Sequence, residues 1–349
     1  MIKVPRFAAP ATAGHWLSPT RRLAAGDIDR PSQGDTLCLG KQSREEAADM
    51  VEEAGGAVRE PAGQRLGKIV SVDFHVTSAC TQDCAYCWGS LGFRRPVATS
   101  HALRIIDRLP RHGIRRVVFT GGDPLLRGDI GQLIRHASEL GLEVAVSTTG
   151  DQLTEGFLAT YGRYMDLVSV PLDGSCEAVS GQTKRPGHFS AVMAALTLLG
   201  RYPRIDVKVG TAVTRKNLHD VPDMARLVDE WAKGVENRVF YNFFQTFPRA
   251  MRPVDWEAFL VKDDEFAAVC EAVAADTSLR VNFLSTDTLD RLYALIFPDG
   301  GLYVPSGDRY HYLGPFLEID DLDAAIERSE FDWAKHEIHS RGWSRSKVG

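Results

Sequence analysis

The feature that most restricts how this chain can fold is an alternation of two hydrophobic periods between about residues 68 and 244. Short apolar runs at 68–76, 116–120, 143–148, 167–172, 205–213 and 238–244 read as buried strands. Between them, segments at 100–109, 126–140, 154–161, 189–199 and 221–231 carry apolar residues every three to four positions. That spacing marks helices with one buried face; in the first, Leu103, Ile106 and Leu109 share it. Strands alternating with helices imply right-handed crossovers, which make the strands parallel. The expected fold class is α/β, with six parallel strands and the helices packed on the sheet. Six strands are too few for a closed eight-stranded barrel, and periodicity alone leaves a partial barrel and an open doubly wound sheet both standing.

The flanks read differently. Residues 1–66 form an N-terminal extension rich in Ala, Gly, Pro and Arg, with one helix expected over 44–54. Ser43 and Glu46 make a capping box for it and Gly55-Gly56 stops it. After residue 250 an α+β pattern follows: a helix over 264–273, a hairpin joining 292–297 to 302–305, and a helix over 320–328. The expected organisation is an extension (1–66), a core (67–250) and a C-terminal segment that closes over the site (251–349). No apolar run is long enough to span a bilayer, and Met1 to Ala13 lack the apolar stretch of a signal peptide, so a cytoplasmic location with no membrane partner is expected. The net charge of −5 comes with no basic block, which gives no footprint for nucleic acid.

Three of the six cysteines lie within eight residues: Thr77-Ser-Ala-Cys80-Thr-Gln-Asp-Cys84-Ala-Tyr86-Cys87. In a long chain without a secretory signal, such a group points to metal or redox chemistry rather than disulfides. Three thiolates at C-x3-C-x2-C spacing can bind three irons of a cubane cluster and leave the fourth open. The alternative is a zinc site completed by Cys176, Cys38 or His75; structural zinc normally takes four ligands, usually as two pairs.

This loop, placed after the first strand and with Tyr86 just before the last cysteine, resembles the hallmark of the radical S-adenosylmethionine (SAM) superfamily. The resemblance covers roughly residues 68–250. It implies a partial (β/α)6 TIM-type barrel, a [4Fe-4S] cluster on Cys80, Cys84 and Cys87, and SAM as the second cofactor. The further motifs follow in order. Gly121-Gly122-Asp123-Pro124 looks like the family's "GGEP" segment, whose backbone receives the SAM amino group, with Asp123 in place of Glu. Ser147-Thr148-Thr149-Gly150 resembles the ribose-contacting segment, with Thr149 where Asn is common. Val170-Pro171-Leu172-Asp173-Gly174 is similar to the "S-x-D-G" segment. Arg185 stands where relatives often place an arginine that meets the SAM carboxylate. The resemblance also implies adenine packing near the fifth and sixth strands, here at Val213 and Phe240, and a flavodoxin or ferredoxin as electron donor.

Beyond Cys87 only Cys176 and Cys270 remain, far apart, so a single cluster is expected. A net oxidation then lacks an electron sink, which favours redox-neutral chemistry: elimination, rearrangement, epimerisation or decarboxylation. Residues 317–332 and 340–345 resemble, more faintly, the C-terminal segment of viperin-type enzymes. The substrate expected on that ground is a small polar nucleoside, nucleotide or sugar derivative, the cytosylglucuronate decarboxylase type being one candidate. Arg249, Arg309, Arg341 and Arg345 are candidate contacts for phosphate or carboxylate, and Tyr310, Tyr312 and Trp343 for a base or sugar. Asp73 and His75 share one face of their strand, opposite Phe74. A peptide-modifying enzyme of the same superfamily and a non-enzymatic metal-binding module stay as alternatives.

Overall fold

The computed structural model describes residues 69–89, 95–249 and 252–341, with residue 341 as backbone only. The helix expected over 44–54 lies outside the described residues.

Six parallel strands appear close to where the periodicity puts them: β1 (Ser71–Thr77), β2 (Arg116–Gly121), β3 (Glu143–Ser147), β4 (Leu167–Pro171), β5 (Asp206–Val213) and β6 (Val239–Gln245). A seventh parallel strand, β7 (Arg280–Leu284), pairs with β6. On the other side, β8 (Leu295–Ile296) pairs in parallel with β1, and β9 (Gly301–Ser306) and β10 (Arg309–Pro315) continue antiparallel. The ten-stranded sheet runs β10-β9-β8-β1-β2-β3-β4-β5-β6-β7 and is not closed. It is the partial barrel expected, with β7 and β8–β10 extending it at its two edges. The segment after residue 250 is thus built into the same sheet.

Helices α1 (Thr99–Arg108), α2 (Ile130–Glu139), α3 (Glu155–Tyr161), α4 (Glu177–Ser180), α5 (His188–Leu199) and α6 (Val221–Lys233) fill the crossovers. Their buried stripes, such as Ile105, Ile106, Leu133 and Ile134, pack with the outward strand residues Val72, Phe74, Val117 and Phe119 in one core. Each side chain fully buried this way contributes about 1.5–3 kcal/mol of transfer free energy. The inward strand face differs. A small apolar cluster of Val118, Ala145, Leu167 and Phe240 is buried apart from the main core, and polar side chains stand around it.

The sequence placed the second helix too early. Pro124–Leu126 form a short 3-10 turn, Arg127 is extended, and α2 starts at Ile130. Arg127 is held out of the helix by its own contacts: its guanidinium donates to the carbonyls of Val76 (2.9 Å) and Val97 (3.1 Å) and to both Asp129 carboxylate oxygens. The C-terminal segment holds α7 (Asp263–Asp276), α8 (Thr286–Leu289), α9 (Leu322–Glu327) and α10 (Trp333–Arg341). The expected hairpin is present as β8 and β9, turned at Gly300 with φ of 81°. Among the described residues no helix is long and apolar enough to cross a membrane.

Candidate active site

The C-terminal ends of the parallel strands meet at the cysteine loop. The loop leaves β1 through a turn in which Ala79 N–H donates to Thr77 Oγ1 (3.1 Å), and Cys87 N–H donates to Cys84 O (3.1 Å). It is tied to the end of β3 by Thr81 Oγ1 and Gln82 Nε2, which both donate to Asp151 Oδ2 (2.5 and 2.7 Å). Each of the three sulfurs accepts from one nitrogen: Cys80 Sγ from Gln82 N (3.4 Å), Cys87 Sγ from Gly89 N (3.4 Å) and Cys84 Sγ from Lys184 Nζ (3.2 Å). Burial pushes the Cys80 thiol up to about 11, helped by Asp123 and the two neighbouring cysteines, and pushes Cys87 up as well. Thiols so placed ionise readily only with a cation to receive them. Three mutually interacting sulfurs at the mouth of a cavity fit three irons of a cubane cluster. Among the described residues, no three His, Cys, Asp or Glu side chains converge as ligands of one metal ion.

The turn after β2 packs under this loop. Gly122 N donates to Thr77 O (2.8 Å) and Asp123 N to Ala79 O (2.7 Å). Gly121 has φ of 134°, a conformation that glycine adopts without strain. The Asp123 carboxylate is fully buried and points away from the cavity, accepting from Thr148 Oγ1 (2.9 Å), Thr149 Oγ1 and Leu125 N (3.0 Å). It joins the β2 turn to the end of β3.

A second buried network borders Cys84. Asp173 Oδ2 takes a hydrogen bond from Tyr86 Oη (2.9 Å) and an ion pair from Lys184 Nζ (2.9 Å), while Asp173 Oδ1 accepts from Ala212 N (2.8 Å). Burial opposes the Lys184 charge, but Asp173, Tyr86 and Cys84 outweigh it and hold the ammonium well above its ordinary range. Burial and then Asp173 push the Tyr86 phenol up.

A cavity of about 350 Å3 runs from the cysteine loop into the barrel. Cys80, Cys84, Cys87, Gly121, Gly122, Thr148, Thr149 and Asp173 line its upper end. At the lower end, toward the start of the strands, Asp73, Arg116 and Lys208 meet His336, His339 and Ser340 of α10. That helix is docked by Arg116 Nη1 on Ser340 O (2.7 Å), Val70 N on His336 Nε2 (3.2 Å), and a contact of His336 Nδ1 with Leu292 O (2.9 Å). Burial raises the Asp73 carboxyl to about 6, against the pull of Lys208 and Arg116. Burial lowers His75 to about 3, and burial plus nearby cations lower His339 to about 3, so both rings are neutral near pH 7.

The sequence-derived candidates divide. Tyr86, His75 and Arg249 line the cavity with the cysteines and the β2 and β3 ends. His75 packs on Phe297, with ring centroids 4.9 Å apart. Arg249 is buried between the rings of Trp88 (5.4 Å) and Phe247 (4.3 Å) and paired with Asp290 (2.7 Å). Pro124, Arg185, Val213, Phe240, Arg309 and Tyr310 do not line it. Val213 belongs to the main core, and Phe240 lies in the small apolar cluster at the start of its strand, near Arg238 and Arg280. Arg185 is exposed, and its backbone N–H meets Gln82 Oε1 (3.0 Å). Arg309 is exposed beside Asp308. The Tyr310 hydroxyl donates to Trp88 O. Arg345 and the Arg341 side chain lie outside the described residues. Cys176 is exposed and Cys270 is buried in α7. The residue that motif reading passed over is Lys184, one position before the arginine it singled out. In the lower-end group the sequence marked Asp73, with His75, but not Arg116, Lys208 or His339, because these members are far apart in sequence.

Residues 74–228 match the family model of the radical SAM superfamily. The chain is 25% identical over 289 residues to an S-adenosylmethionine-dependent nucleotide dehydratase of Lacinutrix mariniflava, covering 77% of this chain and 57% of that one. It is 25% identical over 284 residues to a protein of the same description from Flammeovirga pacifica, covering 76% of this chain and 93% of that one. The fold matches the crystal structure of Streptococcus suis SuiB bound to S-adenosylmethionine with a TM-score of 0.59 at 12% identity, over 82% of this chain and 72% of SuiB. The protein is an enzyme of the radical SAM superfamily. That family implies a [4Fe-4S] cluster and S-adenosylmethionine as its cofactors.

Proposed function

We propose that Cys80, Cys84 and Cys87 hold the cluster and that SAM lies beside it against Gly121, Gly122, Thr148 and Thr149. The substrate then occupies the lower cavity, and is a nucleoside or nucleoside-derived sugar with at most one anionic group. The observation that carries the substrate class is the charge pairing of the cavity's cations. Lys184 faces Asp173 (2.9 Å), Arg116 faces Glu143 (2.7 Å), Arg249 faces Asp290 (2.7 Å), and Lys208 is drawn to Asp73. A triphosphate would need cations free of such partners to replace its water. The nucleotide-dehydratase relatives support a nucleoside-containing substrate, and the paired charges favour its less anionic forms.

Held by Cys80, Cys84 and Cys87, the reduced cluster would supply the electron that cleaves SAM, and the pair would thereby provide hydrogen-atom abstraction from the substrate. The chain's own residues orient and enclose. Asp123 fixes the β2 and β3 ends, Asp151 holds the loop, and α10 closes the lower end against water. Asp73, with its raised pKa, is placed to give or accept a proton near neutral pH. Neither remaining described cysteine lines the cavity, which supports a redox-neutral outcome such as elimination, epimerisation or decarboxylation.

The test is anaerobic. Reconstituted, reduced enzyme is given SAM with a panel of nucleosides, nucleoside monophosphates, triphosphates and sugar acids, and 5′-deoxyadenosine is quantified beside Cys84→Ala. Stimulation by nucleosides or singly charged derivatives, abolished in Cys84→Ala, is expected. Stimulation confined to triphosphates would overturn the low-charge reading, and stimulation by none would overturn the nucleoside class.

A further inference from the structure

We propose that Lys184 sets the reduction potential of the cluster through its contact with the Cys84 sulfur; this rests on the assignment of the three cysteines to the cluster. The three sulfurs are not equivalent. Cys80 and Cys87 each accept a neutral backbone N–H at 3.4 Å, whereas Cys84 faces a full ammonium at 3.2 Å. The lysine side chain is only 8% exposed, so solvent screens the contact weakly. Its position is fixed from two sides. Lys184 N donates to Ser180 O (2.9 Å), which anchors its backbone to the end of α4. Asp173 grips the ammonium and is itself fixed by Tyr86 and Ala212.

Reduction adds one electron, and therefore one negative charge, to the cluster and its thiolates. A cation held against one of those sulfurs stabilises the reduced form more than the oxidised form, most strongly where water is excluded. Lys184 thus eases electron entry, while Asp173, on the far side of the ammonium, opposes part of that effect. The two residues act in opposite directions on one observable quantity.

The experiment is a dithionite titration of reconstituted full-length chain, with mediators and without SAM, followed by electron paramagnetic resonance. Iron and sulfide are counted per chain. At the potential where the wild type is half reduced, Lys184→Met and Lys184→Gln are expected to hold a reduced-to-oxidised ratio about tenfold lower, a shift of about 59 mV for one electron. Lys184→Arg, which keeps the charge, should titrate near the wild type. Asp173→Asn should shift in the opposite direction, and it provides the comparison if the lysine variants fail to load. Equal midpoints for wild type, Lys184→Gln and Asp173→Asn would overturn the proposal and leave Lys184 as a structural ion pair. A Cys84→Ala chain that binds as much cluster as the wild type would instead overturn the ligand assignment.

Discussion

Gly122 lies so close to Ala79 that a Cβ on the glycine would sit 2.1 Å from the Ala79 carbonyl oxygen. The obstacle is backbone rather than a flexible side-chain tip, and the next residue is Cys80. Gly122→Ala is therefore expected to displace the cysteine loop while leaving the sheet intact. Reconstituted Gly122→Ala should retain less than about half the wild-type iron, with an unchanged far-ultraviolet circular dichroism spectrum. Full iron loading would show that the β2 turn and the loop move independently.

Asp123 joins four groups from two strand ends, Thr148 Oγ1, Thr149 Oγ1, Thr149 N and Leu125 N. Asp123→Ala leaves buried donors without an acceptor, at a cost of roughly 3 kcal/mol in urea unfolding. Its affinity for SAM, measured by calorimetry on the cluster-loaded protein, should fall by about tenfold or more.

Arg116 is buried between Glu143 and the Ser340 carbonyl, 2.7 Å from each. Arg116→Leu strands the Glu143 carboxylate and unties α10, with an expected cost of about 3–5 kcal/mol. Hydrogen exchange over 333–341 should speed up well beyond the rest of the chain; uniform acceleration would mean that the helix is docked by other contacts.

The lower cavity predicts a pH dependence with two opposed parts. His75 and His339 have pKa values of about 3 in the folded protein against 6.5 ordinarily. Each contributes stability that is present above about pH 6.5 and lost as pH falls toward 3. Asp73, raised from 3.8 to about 6, does the reverse: its contribution is present below about 3.8 and lost as pH rises through 6. Between pH 4 and 6 each group contributes a slope of about 1.4 kcal/mol per unit. His75→Phe should flatten the measured slope by that amount and Asp73→Asn should steepen it. Unchanged slopes in both would mean that these groups sit in water.

Much of this was legible in the sequence because it is local. Buried strands announce themselves by apolar runs, and the cysteine spacing places three thiols on one loop. What escaped depends on distant partners. β7 carries Arg280 and Asn282 at an edge of the sheet, where a strand needs little apolar surface. Helix α2 starts late because Arg127 is drawn to the Val76 and Val97 carbonyls. Phe240 points to the start of the barrel rather than to the cysteine loop, a matter of register along the strand that no motif encodes. Lys184 became visible only once the crossover after β4 brought it to Cys84.

The insertion of β8 beside β1 carries a consequence for how the chain must be assembled. Among the described residues β1 is the first strand made, yet the edge it presents away from β2 pairs with residues 294–296, and the His336 contact with Val70 bridges 266 positions. During synthesis that edge stays open until more than two hundred further residues have emerged. Such long-range closure is slow and leaves an unpaired strand available to other chains. The six central βα units can condense early, so the cysteine loop takes shape on a half-built scaffold, and the chamber beneath it is sealed among the last events of folding.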